Sequence, residues 1–377
     1  MIRNLKKLLI LILSISIFGC LSENRPTADA SPIKNRPNIL ILLTDDQSFN
    51  TINALGNKEV STPNIDKLVS NGLTFTHAYI MGSFSGAVCM PSRAMLMTGQ
   101  YLQKLDKVQG AIGENIKTMP QLLKESGYTT FFTGKWHNKK ASFFKSFTNG
   151  ENIFMGGMSN HLKVPLYSFD PSGIYPEKNK FFKDKFSSVL FKEAAVNFLR
   201  QYDEIKPFFA CVSFTSPHDP RMAPDDYQKK YNPEAISLPI NFMTKHNFNN
   251  GELIIRDENL LPFPRTEEAV KEEIAAYYAM ISEVDDNIGK ILKVLGETGH
   301  ADNTIIIFTS DNGLAVGQHG LLGKQNLYDH GVRVPLIISG PGIKNGVFSE
   351  SLVYLNDIFP TITDLIGIEK PRTIDGL

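Results

Sequence analysis

The sequence predicts an α/β fold, a doubly wound and mostly parallel sheet with helices on both faces. Two observations carry that prediction. Continuous apolar runs of strand length recur along the chain, the pattern of strands buried on both sides. Longer segments of helical periodicity separate them, so the order reads βαβα rather than strands first and helices later. The 377 residues suffice for one large domain or two ordinary ones.

At the start of the chain, Arg3, Lys6 and Lys7 precede an apolar run from Leu8 to Phe18 that ends at Gly19-Cys20. The run is shorter than the ~20 residues a spanning helix needs, so residues 1–20 are expected to be an export signal. Residues 21–37, rich in Ser, Asn, Pro and charge, are expected to form a flexible tether, which leaves 38–377 for the folded domain. Asn38 to Thr44 is the first predicted strand. Further strands are predicted at Tyr128 to Thr133, Pro207 to Thr215, Thr304 to Ser310 and Val334 to Ser339. Helices are predicted at Pro63 to Ser70, Met119 to Ser126, Phe186 to Gln201 and Glu267 to Leu295. Phe186, Leu190, Ala194 and Phe198 form a core stripe on one of them, and Asp285-Asp286 reads as a polar helix face. Lys139 to Lys185 and Met222 to Arg265 read as insertions outside the sheet.

Lys+Arg and Asp+Glu both count 39, so net charge argues against a polyanionic partner such as nucleic acid. An anion site, if present, is local. The best candidate is Ser85 to Gly99, where Pro91 suits a first helical turn, Ala94 to Met97 favour helix, and Gly99 is a natural stop. Cys89 then stands at a helix mouth, where orphan N–H groups hold anions, with Arg93 one turn on. Taken singly, Cys89 reads as a small buried hydrophobe. Asp45-Asp46 and Asp311-Asn312 each follow a predicted strand, so two strands deliver four hard-oxygen side chains to one edge of the sheet. Those donors suit Ca²⁺ or Mg²⁺ rather than Zn²⁺. Asp45 and Asp46 share one ion only if the backbone has already turned out of the strand. Lys135 and His137 follow the strand at Tyr128, His218 sits between two prolines, and Lys324 closes a glycine-rich loop; each alone has a bland structural explanation.

Together these segments resemble the sulfatase family, the formylglycine-dependent type within the alkaline phosphatase-like superfamily. Cys89-Met90-Pro91-Ser92-Arg93 followed by Leu96-Met97-Thr98-Gly99 is similar to the family's Cys-x-Pro-Ser-Arg and Leu-x-Thr-Gly elements. Gly134-Lys135-Trp136-His137, Pro217-His218-Asp219-Pro220 and His319-Gly320-Leu321-Leu322-Gly323-Lys324 resemble three more, in family order. The resemblance implies a sulfuric ester hydrolase acting on a sulfated small molecule or glycan. It implies that Cys89 is converted by a formylglycine-generating enzyme to an aldehyde whose hydrate is the nucleophile. It implies Ca²⁺ on Asp45, Asp46, Asp311 and Asn312 together with residue 89, and substrate oxygens held by Arg93, Lys135 and Lys324. His218 is implied as the acid on the leaving oxygen and His137 as a partner of the nucleophile; Asp219 and Arg221 are candidates for reading substrate, and His319 for a supporting place. A disulfide between Cys89 and Cys211 would consume that nucleophile.

Gly19-Cys20 resembles a bacterial lipoprotein cleavage site, which implies a lipid on Cys20, a cell-envelope location, and membrane contact only through that anchor. A plain signal peptide or an uncleaved anchor are the alternatives. Departures from the family pattern are Asn138-Lys139 after His137, Tyr328-Asp329, and the chain's end at Leu377, where a smaller carboxyl-terminal subdomain is expected to be missing or truncated. Two other functions fit the same residues. One is a phosphatase or phosphonate monoester hydrolase on this scaffold; the other is a noncatalytic lipoprotein that binds sulfated glycans with Cys89 unmodified.

Overall fold

The computed structural model describes residues 36–105 and 109–377. The expected signal segment, Cys20 and all but the last two residues of the tether lie outside them. Eight strands form one sheet: β1 (Asn38–Thr44), β2 (Gly72–Tyr79), β3 (Thr129–Lys135), β4 (Asn149–Phe154), β5 (Phe208–Ser213), β6 (Thr304–Ser310), β7 (Arg333–Ser339) and β8 (Val347–Tyr354). Their order is β4-β3-β5-β1-β6-β7-β2-β8. β7 runs antiparallel to both neighbours, while the other pairings are parallel.

β1 shows why the sheet lies at the centre. Every residue of this strand is buried, and alternate side chains enter opposite layers. Ile39, Ile41 and Leu43 pack in a core with residues of the helices Cys89–Thr98, Met119–Glu125 and Ile358–Leu365. Leu40 and Leu42 pack on the other side with residues of Pro63–Ser70, Ser187–Gln201 and Glu267–Glu297. At roughly 1.5–3 kcal/mol for each fully buried side chain of this size, the two faces together fix both layers of helices. This is the arrangement the βαβα order predicts, with helices on both faces.

Three strands escaped the sequence reading, and one ran the other way. β4 lies inside the supposed insertion at 139–185 and pairs with β3 at the sheet's edge; its sequence, Asn-Gly-Glu-Asn-Ile-Phe, is buried only over its last three residues. β8 is exposed along most of its length, so no apolar run announces it. β2 mixes Gly, Thr and His and carries register shifts against both neighbours. β7 was expected to join a parallel sheet, but the connection from β6 contains only one short helix, Asp329–Val332. A parallel crossover needs a longer element to cross a face of the sheet.

Residues 222–265 form short helical turns rather than sheet, with one bridge from Phe242 to Gln318. A third apolar cluster, including Ala223, Tyr231, Ile236, Ile274 and Leu314, seats them against the long helix Glu267–Glu297. That helix also corrects the reading of Asp285 as a solvated face. Its carboxylate is buried and accepts the backbone N–H groups of Asn64 and Ile65, at 3.1 and 2.8 Å, where the helix Pro63–Ser70 begins. Asp286 accepts the Tyr227 hydroxyl at 2.5 Å.

Candidate active site

The parallel strands β1, β3, β5 and β6 end on one rim of the sheet, and their next residues carry the charged groups. After β1 the backbone turns at once: Asp46 has φ +67°, in the left-handed region, which lets adjacent aspartates act at one place. Asp311 secures the turn, its Oδ1 accepting the Asp46 N–H at 3.1 Å. Tyr277 donates its hydroxyl to the Asp46 carbonyl at 2.5 Å and accepts the Ser48 N–H at 3.0 Å.

Cys89 opens the helix Cys89–Thr98, which Gly99 ends in the left-handed conformation, as the sequence predicts. The thiol is buried, 3.7 Å from Asp46 Oδ1 and 3.0 Å from Lys324 Nζ. Cys89 and Cys211 are both free, so the pairing that would have consumed the candidate nucleophile is absent. Burial pushes the Cys89 thiol well above its ordinary range; Lys135 and Lys324 pull the other way without cancelling it. Left as a thiol, this residue is a poor nucleophile.

The cations are all buried and all engaged. Lys135 Nζ lies 2.5 Å from Asp45 Oδ2, and Lys324 Nζ lies 2.6 and 2.9 Å from the two oxygens of Asp46. Arg93 donates to Asp311 Oδ2 at 2.7 Å, to the Lys135 carbonyl at 2.6 Å and to Ser213 Oγ at 2.6 Å. Its Nη2 has no hydrogen-bond partner and sits 3.7 Å from Asp45 Oδ2. Burial raises Asp46, but the charges of His218, Lys324 and Lys135 outweigh it and hold this carboxyl below the usual carboxylate range. Asp311 goes the other way, up to about 6, because burial and the neighbouring Asp45 exceed what Arg93 gives back.

Lys135 owes its place to Gly134. That glycine has φ +100°, and a Cβ there would lie 1.8 Å from the Ser213 carbonyl oxygen, so no other residue fits between β3 and β5. His137, also at positive φ, lines the cleft over Cys89 with an unpartnered, buried Nδ1; burial and then Lys135 lower its pKa to about 2 and keep it neutral. His218 Nε2 lies 3.7 Å from Asp46 Oδ2, and its Nδ1 lies 3.2 Å from Asp219 Oδ1. Burial lowers it to about 4, with Asp46 opposing. The cleft has a volume of about 410 Å³ and is lined by Cys89, His137, His218 and Lys324. A larger hollow of about 610 Å³ beyond Tyr328 shares no lining residue with it.

The donors fit a hard divalent cation. Asp45 Oδ1 and Asn312 Oδ1 are buried without a hydrogen-bond partner, which costs free energy unless something electropositive meets them. Asp45, Asp46, Cys89 and His218 each place one ligand-type atom within 4.8 Å of the others. Asp311 stands outside that group; Arg93 and the Asp46 N–H meet its two oxygens.

A sequence model of the Sulfatase family matches residues 37–368. The chain belongs to the sulfatase family. It is a sulfuric ester hydrolase, and its relatives agree. It is 27% identical to an N-acetylglucosamine-6-O-sulfatase of Bacteroides thetaiotaomicron, across 99% of this chain and 74% of that one. It is 29% identical to an ulvan-active sulfatase of Formosa agariphila, across 97% and 68%. The human N-acetylglucosamine-6-sulfatase is 28% identical, across 98% and 67%. Among solved structures, one described as in complex with its substrate D-glucosamine-2-N,6-O-disulfate superposes with a TM-score of 0.74 at 25% identity, covering 90% of this chain and 78% of that chain. The phosphonate monoester hydrolase of Agrobacterium radiobacter shares the fold, with a TM-score of 0.72 at 23% identity, covering 90% and 76%.

Sulfatase motifs pointed to the charged groups but not to what holds them. His161 Nε2 lies 2.9 Å from the His218 carbonyl, and Glu258 accepts the N–H groups of Leu322 and Gly323 just before Lys324. No motif marks either residue. Arg221 was a candidate for reading substrate; instead it pairs with Glu273 at 2.9 Å and lies over the Tyr277 ring. His319 stacks on Tyr328 with ring centroids 4.1 Å apart and lines the hollow, not the cleft.

Proposed function

We propose that this sulfatase removes O-sulfate from a sulfated carbohydrate, with residue 89 in its formylglycine form and Ca²⁺ held by Asp45, Asp46, Asp311 and Asn312. One observation carries the reading: Cys89 Sγ lies 3.7 Å from Asp46 and 3.0 Å from Lys324 in a cleft that also presents His137 and His218. The carbohydrate class rests on the names of the relatives, several of which are glycan sulfatases.

Bound calcium supplies a Lewis acid for sulfate oxygens, and the hydrated aldehyde at position 89 supplies a nucleophile that the buried thiol does not. Electrostatics make a cation necessary. Asp45, Asp46 and Asp311 carry three negative charges, and Arg93, Lys135 and Lys324 three positive, so without it the rim exerts no net pull on an anion. Lys135, Lys324 and the unpartnered Nη2 of Arg93 orient the sulfate oxygens. His218 presents Nε2 toward the rim, and the negative charge of a bound ester favours its imidazolium, which donates to the departing alcohol oxygen. His137 offers its unpartnered Nδ1 to the proton of the remaining hydroxyl on residue 89, whose O–H bond breaks as the C–O bond to sulfate breaks and the aldehyde re-forms.

The test is desulfation of a panel of sulfated saccharides, with an aryl phosphate beside them, by protein from a host that matures sulfatases. We expect sulfate release, little phosphate release, and a Cys89-containing peptide whose mass shows conversion. Full activity in Cys89→Ala ends this reading. Export and lipid attachment at Cys20 belong to the same proposal, and Cys20→Ala is expected to move the protein out of the membrane fraction.

A further inference from the structure

Three consecutive residues of the 222–265 segment reach both sides of the cleft. Arg256 forks onto Asp219, with Nη1 2.5 Å from Oδ2 and Nη2 3.0 Å from Oδ1. Asp219 Oδ1 is also 3.2 Å from His218 Nδ1, which lies 2.8 Å from the Asp219 carbonyl. The next two residues hold the opposite wall. Asp257 accepts Gln325 Nε2 at 2.9 Å, and Glu258 accepts the N–H groups of Leu322 and Gly323 at 3.0 and 2.8 Å. Arg265 anchors Glu258 in turn at 2.7 Å. The segment thus ties the His218 loop to the Lys324 loop.

A bidentate guanidinium fixes the plane of a carboxylate, which a point-charge ammonium does not. Nδ1 has its nearest partner in the Asp219 carbonyl, with the Asp219 carboxylate 3.2 Å away, so fixing that carboxylate fixes the residue that takes the Nδ1 proton and leaves Nε2 to serve the cleft. We infer that Arg256 is a positioning residue: acting through Asp219, it holds His218 in the orientation from which it protonates the leaving oxygen. The inference rests on the reading of His218 as the acid.

Leaving-group dependence separates this role from general support of the fold. A sugar alkoxide needs a proton to depart, whereas 4-nitrophenolate leaves without one. The experiment compares kcat on a 6-O-sulfated N-acetylglucosamine saccharide and on 4-nitrophenyl sulfate for wild type, Arg256→Ala, Arg256→Lys and His218→Ala. General acids contribute about 10²–10⁴-fold, so Arg256→Ala is expected to lose about tenfold or more in kcat on the sugar ester and less than about twofold on the aryl ester. Arg256→Lys restores part of the loss. Nitrogen NMR of the His218 imidazole gives a substrate-free readout: one tautomer in the wild type, a mixture in Arg256→Ala. Equal losses on both esters together with an unchanged tautomer overturn the inference. If His218→Ala itself fails to discriminate between the esters, the acid reading falls, and this inference with it. If His218→Ala discriminates and Arg256→Ala does not, the inference alone falls.

Discussion

Two groups of buried acids can be set side by side in this molecule. On the rim of the sheet, Asp45, Asp46 and Asp311 each face a cation: Lys135, Lys324 and Arg93. On the long helix, Asp285 and Glu283 face neutral donors instead, namely the N–H groups of Asn64 and Ile65 and the amide of Asn287. Burial wins on the helix, pushing Glu283 up to about 7 and Asp285 to about 6; on the rim the outcome divides, the cations holding Asp46 down while burial and the neighbouring Asp45 take Asp311 to about 6 despite Arg93. The sequence writes both sites as an Asp-Asp pair. What separates Asp46 from Asp285 is the charge opposite: cations meet the one, while the N–H groups of a neighbouring helix's first turn meet the other.

The sharpest way to break this contrast is to remove charge at the rim. Asp311→Asn is expected to lower kcat/KM on a sulfated saccharide by about 100-fold or more, roughly 2.7 kcal/mol, measured at a temperature where the variant is folded. An unaltered rate would put Asp311 among the structural acids. Calcium gives a second handle. Added at about 100 times its Kd to chelator-treated protein, it should stabilise the wild type by about 2.7 kcal/mol, read as a raised thermal midpoint, and Asp46→Asn should lose most of that gain.

The helix acids should respond in stability rather than in rate. Glu283 has a folded pKa raised above its unfolded value, so its contribution is complete below about pH 4.5 and is lost as pH rises through about 7. Glu283→Gln should flatten that part of the profile and exceed the wild type at pH 8 by about 2–3 kcal/mol in denaturant titrations. Smallest of all, Asp285→Ala strips the cap from the helix Pro63–Ser70 and should cost about 1–2 kcal/mol, with kcat unchanged at a permissive temperature.

Legibility in the sequence followed burial and motif. β1 and β6 were exposed to view because each carries an unbroken apolar run in the interior of the sheet. β8 was hidden because its side chains face water, and β7's direction was hidden because an apolar run reads the same both ways. At the site, the candidate residues Cys89, Arg93, Lys135, His137, His218 and Lys324 were read from motifs and stand near one rim, while His319, also inside a motif, lines the other hollow. Arg256 and Glu258 were not, because their partners lie 37 and 64 or more residues away in sequence, and the loop that carries them is rich in Pro and Asn. The lack of any helix of crossover length between Ser310 and Arg333 was a usable sign of β7's reversal.

The contact between Gly134 and the Ser213 carbonyl decides how much drift this charged rim tolerates. Lys135 is set against Asp45 by two backbones touching at its neighbour, with Arg93 and Ser213 Oγ holding its carbonyl, so the ammonium's place depends on the strand spacing itself. A single added methyl at position 134 would wedge the strands apart and move the charge.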